Sequence, residues 1–297
     1  KYFYDKKGSE IFCRIMDMPE YYLTSSDYDI FRNQSTTICD GLQVEDRPFD
    51  LIELGPGDGM KSRLLLRVLY DRGVNFTYIP VDISGSALKE LDRSLQQEMQ
   101  GLSIEGRQGD FFPAMEGFGK YHHHPRVILF LGSNIGNFSL EERHLFLVLL
   151  ARMTAAGDKV IMGFDLKKSP RIILDAYDDP HGITRDFNLN HLERINRELQ
   201  ADFDPATFQH HVSYDPFSGA TKSFLVSKIS QSIHLGATGD TITFRQWEPI
   251  FMELSAKFSH DDIGTLAGKY GFTVKQNFND GKNYFTDSLW VRNEIKI

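Results

Sequence analysis

The amino-acid sequence predicts an α/β fold: a mostly parallel sheet covered by helices, closed by a terminal antiparallel hairpin and interrupted by an α+β insertion. Three observations carry the prediction. Between residues 49 and 165, short apolar runs ending in Gly or Asp alternate with helical patterns, as a parallel sheet with covering helices requires. After Asp165 that rhythm stops for about ninety residues, a length that suits a lid or domain rather than a loop. From His260 a helical pattern and two strand patterns flanking Asn279-Asp280-Gly281 resume it.

Taken in order, strands are expected at 49–55, 76–84, 102–110, 126–132 and 159–165. Leu64, Leu65, Val68 and Leu69 recur at helical spacing after the first strand, and Leu88, Leu91, Leu95 and Met99 after the second, so each helix buries one face. Ser139 followed by Glu142 is a capping-box pattern ahead of Leu145, Val148 and Leu149, and Gly157 turns the chain into the fifth strand. The insertion reads as a helix at 170–177, a turn at 178–182, a helix through Asn196, and strands at about 209–214 and 223–233 joined by the turn at 216–219. A helix from His260 ends at Gly271, and the last strand runs through Val291.

The 297 residues carry 33 Lys+Arg against 41 Asp+Glu, a net charge of −8, with 41% hydrophobic and 25% charged residues. This is globular composition. The acidic balance, without a clustered basic block, argues against nucleic-acid binding and leaves a small molecule as the expected partner. Cys13 and Cys39 cannot make a disulfide framework, which fits a reducing cytoplasm. No run of about 18 apolar residues is present to span a membrane, and the N-terminus lacks the apolar segment of a signal peptide. The chain does not begin with Met, so residues ahead of Lys1 are expected, and the protein is expected to act as a monomer.

Leu51-Ile52-Glu53-Leu54-Gly55-Pro56-Gly57-Asp58-Gly59 runs an apolar strand into a glycine-rich turn, with a helix beginning near Lys61. Such glycines let backbone approach a ligand. A packing turn or a dinucleotide site would look similar, although the third glycine falls one place early for G-x-G-x-x-G. Asp82 ends the second strand, twenty-three residues after Gly59, where a carboxylate accepts ribose hydroxyls. Gly109-Asp110-Phe111 ends the third, offering an acid and a ring for an adenine. Turn, acid, then acid plus ring is the arrangement of an S-adenosylmethionine pocket, with NAD as the competing ligand at the first two positions. The fourth strand ends in Phe130-Leu131-Gly132-Ser133-Asn134-Ile135-Gly136-Asn137, where Asn137 either serves a ligand or caps a turn.

Several unusual strings occur together and in order: Tyr2-Phe3-Tyr4-Asp5, Gly8-Ser9-Glu10, Pro19-Glu20-Tyr21-Tyr22, Leu131-Gly132-Ser133 with Ile135-Gly136-Asn137, Ala176-Tyr177-Asp178-Asp179, and Phe187-Asn188-Leu189-Asn190 through Ile195-Asn196-Arg197-Glu198-Leu199. In this combination the chain resembles, over essentially its whole length, the histidine-specific Nα-methyltransferases of ergothioneine biosynthesis. The resemblance implies a Rossmann-like S-adenosylmethionine methyltransferase sheet, at 26–167 and 258–297, and a substrate-binding domain that takes in the N-terminal segment, at 1–25 and 168–257. It also implies that Gly55, Lys61, Asp82, Asp110 and Phe111 contact S-adenosylmethionine, with Tyr4 close by. Asn137 and Tyr177 would hold the amine and carboxylate of the amino acid, and Tyr21, Glu253 and Ser255 its imidazole. Glu253 and Ser255, two apart in an extended segment, share a face. The expected reaction methylates the α-amine of L-histidine, up to trimethylhistidine (hercynine), with Tyr4, Tyr21 and Asn137 as catalytic residues and Tyr4 or Tyr21 taking up the amine proton through water. No metal is expected.

Two positions depart from the family pattern. Ser223 stands where methionine is usual near the imidazole, and Asn134 where threonine is usual. Extra room at Ser223 would admit another aromatic amino acid such as tryptophan, whereas an indole has one donor and would leave the Glu253 carboxylate partly unpaired. A non-catalytic small-molecule binding protein and an NAD-linked oxidoreductase are the alternatives from other classes. His122-His123-His124 reads as a solvated loop, His210-His211 as opposite faces of a strand, Asp178-Asp179 as turn residues, and Trp247 and Trp290 as packing residues.

Overall fold

The computed structural model describes residues 3, 5–44, 47–119 and 123–294. Two helices outside the predicted pattern come first, α1 (Lys6–Met16) and α2 (Tyr22–Leu42). Asp5 starts α1 by accepting the Gly8 amide at 2.7 Å. The α/β core follows as β1 (Phe49–Leu54), α3 (Ser62–Asp71), β2 (Phe76–Asp82), α4 (Gly85–Glu98), β3 (Ser103–Ile104), β4 (Arg107–Gln108), α5 (Phe111–Phe118), β5 (Arg126–Phe130), α6 (Leu140–Arg152) and β6 (Lys159–Asp165). The strand expected at 102–110 is therefore two short pieces on β2, with Thr77 opposite Ser103 and Val81 opposite Arg107. Ser139 and Glu142 close the capping box that starts α6.

The insertion supplies α7 (Pro170–Tyr177), α8 (Ile183–Leu199), β7 (Phe208–Asp215), β8 (Ala220–Ser227), β9 (Gln231–Leu235), β10 (Asp240–Phe244) and β11 (Pro249–Ala256), after which come α9 (His260–Lys269), β12 (Phe272–Asn279) and β13 (Phe285–Arg292). The strand expected at 223–233 breaks at Ser227, whose hydroxyl donates to the Ile229 carbonyl at 2.8 Å. Beyond that turn β9 pairs with β10 as a separate hairpin, while β8 is flanked by β7 and β11. Trp290 is fully buried, but Trp247 is 62% exposed, so the packing role expected for Trp247 is wrong.

The main sheet has the order β12-β13-β6-β5-β1-β2-β3, with β4 also on β2. β13 runs antiparallel to β6 and to β12, which makes the terminal hairpin the closing edge of an otherwise parallel Rossmann-like sheet. Its core joins Ile30, Phe31 and Ile38 of α2 to Leu51, Leu65, Leu69, Tyr78 and Leu95. The chain divides into two compact units, Lys1–Tyr22 with Lys167–Lys257, and Leu23–Leu166 with Phe258–Ile297. The first has its own core of Leu192, Phe203, Phe208, Leu225, Ile233, Phe244 and Met252.

Candidate active site

β1 lies between β2 and β5, so the strand order reverses beside it, and the carboxyl ends of these strands flank the crevice where open α/β sheets take ligands. Gly55 follows β1 with φ +72°, and a Cβ built there or at Gly57 meets nothing within 4 Å. At Gly59 the same atom would stand 2.5 Å from Leu91 Cδ1. The first two glycines border open space, and the third makes room for α4. Asp82 ends β2, half-buried, and accepts the Ser84 amide at 2.8 Å with one oxygen only. Asp110 starts α5 by accepting the Phe112 amide at 3.1 Å. Phe111 is half-buried, its ring centroid 5.8 Å from that of Phe130 and 5.9 Å from that of Phe138, so an aromatic cluster holds it in place. Asn137 ends a 3₁₀ turn after β5 and is exposed. A cradle that a side chain would fill, two strand-end carboxylates and a half-exposed ring together fit the ribose and adenine of S-adenosylmethionine.

Lys61 enters this site already paired. Its ammonium lies 2.6 Å from Asp27 Oδ2, an oxygen that also accepts the Gly132 amide at 2.9 Å. Asp27 thus ties α2 to the turns that follow both β1 and β5. Burial disfavours the Lys61 charge, yet Asp27, with Asp287 and Glu53 behind it, holds the ammonium's pKa above the ordinary lysine value. Burial also pushes the Asp287 carboxyl well above the carboxylate range, and the charge on Asp27 pushes it the same way. Glu53, hydrogen-bonded by the Tyr78 hydroxyl, is raised by burial as well. Sequence reasoning missed Asp27 and Asp287. Their signals were a carboxylate on the apolar stripe of α2 and another in a strand whose neighbours are all buried.

The other unit carries a second polar cluster. β11 pairs with β8 so that Glu253 faces Ser223 and Ser255 faces Thr221, which puts all four side chains on one face of the sheet. Tyr177, at the end of α7, has its hydroxyl 2.8 Å from Ser255 Oγ. The Tyr21 ring lies 6.3 Å from the Tyr177 ring, edge-on, and Phe12 stands 6.4 Å from Tyr21. Burial raises the Glu253 carboxyl, and the positive charge of Lys257 works against that rise. Lys257, which the motifs did not single out, donates to both Tyr177 Oη and Ser255 Oγ at 2.8 Å. Tyr4 lies outside the described residues. Asp179 accepts the amides of His181, Ile183 and Thr184 at 3.1, 2.9 and 2.8 Å, which makes it a cap for α8. Among the described residues no group of three His, Cys, Asp or Glu side chains could hold a metal ion, and no helix is long and apolar enough to cross a membrane.

The fold is that of the S-adenosylmethionine-dependent methyltransferases. A solved methyltransferase of that kind from Clostridium acetobutylicum ATCC 824 shares the fold with a TM-score of 0.51 at 11% identity, covering 96% of this chain and 99% of its own. The model of the histidine-specific, SAM-dependent methyltransferases matches residues 1–292, and the chain belongs to that family. It is 36% identical to a histidine N-alpha-methyltransferase from Mycobacterium tuberculosis (strain CDC 1551 / Oshkosh) over 89% of this chain and 80% of the relative. It is 28% identical to ergothioneine biosynthesis protein 1 from Schizosaccharomyces pombe (strain 972 / ATCC 24843), over 93% of this chain but 36% of that longer protein. The protein is an S-adenosylmethionine-dependent N-methyltransferase, with S-adenosylmethionine as its cofactor.

Proposed function

We propose that this enzyme methylates the α-amine of L-histidine, up to the trimethylated betaine. The observation that supports histidine is the β8–β11 face, which sets the Glu253 carboxylate two residues from the Ser255 hydroxyl. A neutral imidazole has one N–H and one lone pair. Glu253 accepts from the first, and Ser255 donates to the second. The histidine N-alpha-methyltransferase at 36% identity supports the same substrate.

The cofactor, when bound, supplies an electrophilic methyl group on its sulfonium. The chain's residues do the rest. Gly55 leaves the backbone approachable, Asp82 accepts the ribose hydroxyls, Asp110 and Phe111 take the adenine's amino group and face, and Lys61 completes the contacts. The unit built on the main sheet holds the cofactor, and the unit that contains the insertion holds the amino acid. Asn137 and Tyr177 orient the amine and carboxylate, while Tyr21, Glu253 and Ser255 hold the ring. An α-amine has an ordinary pKa near ~8, so a proton must leave before each transfer. Tyr21 or Tyr4 receives it through water. The rings of Phe12 and Tyr21 suit the cation that grows with methylation.

A second substrate class, a bulkier aromatic amino acid, is favoured by one feature: Ser223, 1% exposed, is the small residue facing Glu253. Mass spectrometry of the protein incubated with S-adenosylmethionine and, separately, histidine, tryptophan, tyrosine and a dipeptide lacking a free histidine amine decides between them. Three added methyl groups on histidine alone are expected. Methylated tryptophan with unmodified histidine would overturn the assignment.

A further inference from the structure

We propose that Ser133 is a positioning residue for methyl transfer: its hydroxyl fixes the 3₁₀ turn that presents Asn137, an inference that rests on the reading of Asn137 given above. Ser133 follows β5 with φ +57° and ψ +22°, in the left-handed region. Among the described residues, Gln43, Gln200, Trp247 and Asn283 are the other non-glycine positions with positive φ, and all four are exposed, whereas Ser133 is 4% exposed. Left-handed backbone is costly for a residue with a Cβ, and glycine would avoid that cost. A buried serine held there points to a side chain with a task.

The task is visible in the hydrogen bonds. The Asp165 amide donates to Ser133 Oγ at 2.9 Å. β5 and β6 pair in parallel only as far as Phe130 and Met162, and β13 faces Asp165 from the other side, so the amide of this fully buried residue has run past its strand partner and takes the hydroxyl instead. The bond ties the start of the turn to the end of β6. The Ser133 carbonyl also accepts the Gly136 amide at 2.9 Å, and beyond Asn137 the Phe138 ring stacks on that of Phe130, centroids 6.0 Å apart and 17° from parallel. Asn137 is thus an exposed side chain on a backbone held at both ends. A small shift of that backbone would move the Asn137 amide away from the substrate amine, while Gly55, Asp82 and Asp110, which follow or end other strands, would keep their places.

The test uses the intact protein with S-adenosylmethionine and histidine. Ser133→Gly removes the hydroxyl and suits the left-handed backbone, whereas Ser133→Ala removes the hydroxyl and keeps the Cβ. In both variants kcat/KM for histidine should fall about 10- to 100-fold. Affinity for S-adenosylhomocysteine, measured by calorimetry, should change less than about twofold, because the cofactor contacts lie elsewhere. The urea midpoint of Ser133→Gly should lie above that of Ser133→Ala, so that activity follows the hydroxyl and not the stability. In an Asn137→Ala background, followed by single-turnover mass spectrometry, Ser133→Gly should cost less than about twofold more, since both changes act on one group. Wild-type kcat/KM in Ser133→Gly, an equal loss in the two backgrounds, a matching loss of S-adenosylhomocysteine affinity, or a Ser133→Gly protein unfolded at the assay temperature would each overturn the proposal. Wild-type activity in Asn137→Ala would instead overturn the reading of Asn137, and this inference with it.

Discussion

Exchanging single glycines for alanine separates the part of the β1 turn that receives the cofactor from the part that packs the fold. Gly55 and Gly59 have nearly the same left-handed backbone, φ +72° and +69°. That conformation costs an L-residue about 1–2 kcal/mol, so both variants carry this penalty. Their surroundings differ. A Cβ at Gly55 has no atom within 4 Å, so nothing is added to the backbone cost. A Cβ at Gly59 stands 2.5 Å from Leu91 Cδ1, and Leu91 is 3% exposed and has little room to retreat. Overpacking of that kind adds about 1–3 kcal/mol, for a total of about 2–5 kcal/mol. Urea unfolding without ligand measures these losses, and titration calorimetry with S-adenosylhomocysteine measures the cradle. Gly55→Ala should weaken binding tenfold or more, about 1.4 kcal/mol, with a stability loss of at most about 2 kcal/mol. Gly59→Ala should lose the greater stability and bind more nearly like the wild type. The reverse pattern, with Gly55→Ala unfolding easily and binding normally, would show that the open space beside Gly55 is not where the cofactor lies.

Three further outcomes are expected. Lys61→Met strands the buried Asp27 carboxylate and should cost about 3–5 kcal/mol in urea unfolding, and a loss below about 1 kcal/mol would mean that the Asp27–Lys61 pair does not matter to the fold. Asp287 has a folded pKa well above its ordinary 3.8, so the native state binds this proton more tightly than the unfolded chain, and stability falls as pH rises from about 4 through the folded value. Asp287→Asn removes that decline, and unfolding midpoints at about pH 5 and about pH 8 should lie closer together than in the wild type; a wider gap would contradict the direction of the shift. Tyr177→Phe removes the hydroxyl bonded to Ser255 and Lys257 and should lower kcat/KM for histidine by about 10- to 100-fold in steady-state assays, with S-adenosylhomocysteine affinity unchanged. Wild-type kinetics in that variant would remove Tyr177 from the site.

Local pattern was enough for the parallel sheet and its closing hairpin. Strands such as β1 and β6 are short, mostly apolar segments buried along nearly their whole length, α3 and α4 repeat apolar residues at helical spacing, and the Ser139–Glu142 cap is complete within four residues of chain. The glycine turn, Asp82 and Asp110 were also visible, because a strand-end position can be counted along the chain. The failures share one cause. α2 carries Thr24, Ser25, Ser26, Ser35, Thr36 and Thr37, weak helix formers, and is held as a helix by packing Ile30, Phe31 and Ile38 into the core of the main sheet. The strand through 223–233 has a continuous β pattern, and only the Ser227 turn, fixed by its bond to Ile229, divides it between two sheets.

The chain's local periodicity and motif order determined the fold class, the cofactor and the family. The tertiary structure alone decided that Lys61 meets Asp27, thirty-four residues away, and that Lys257 meets Tyr177, eighty residues away. Apolar periodicity states which face is buried, but a buried charge must find a partner, and that partner can come from any element the fold brings near.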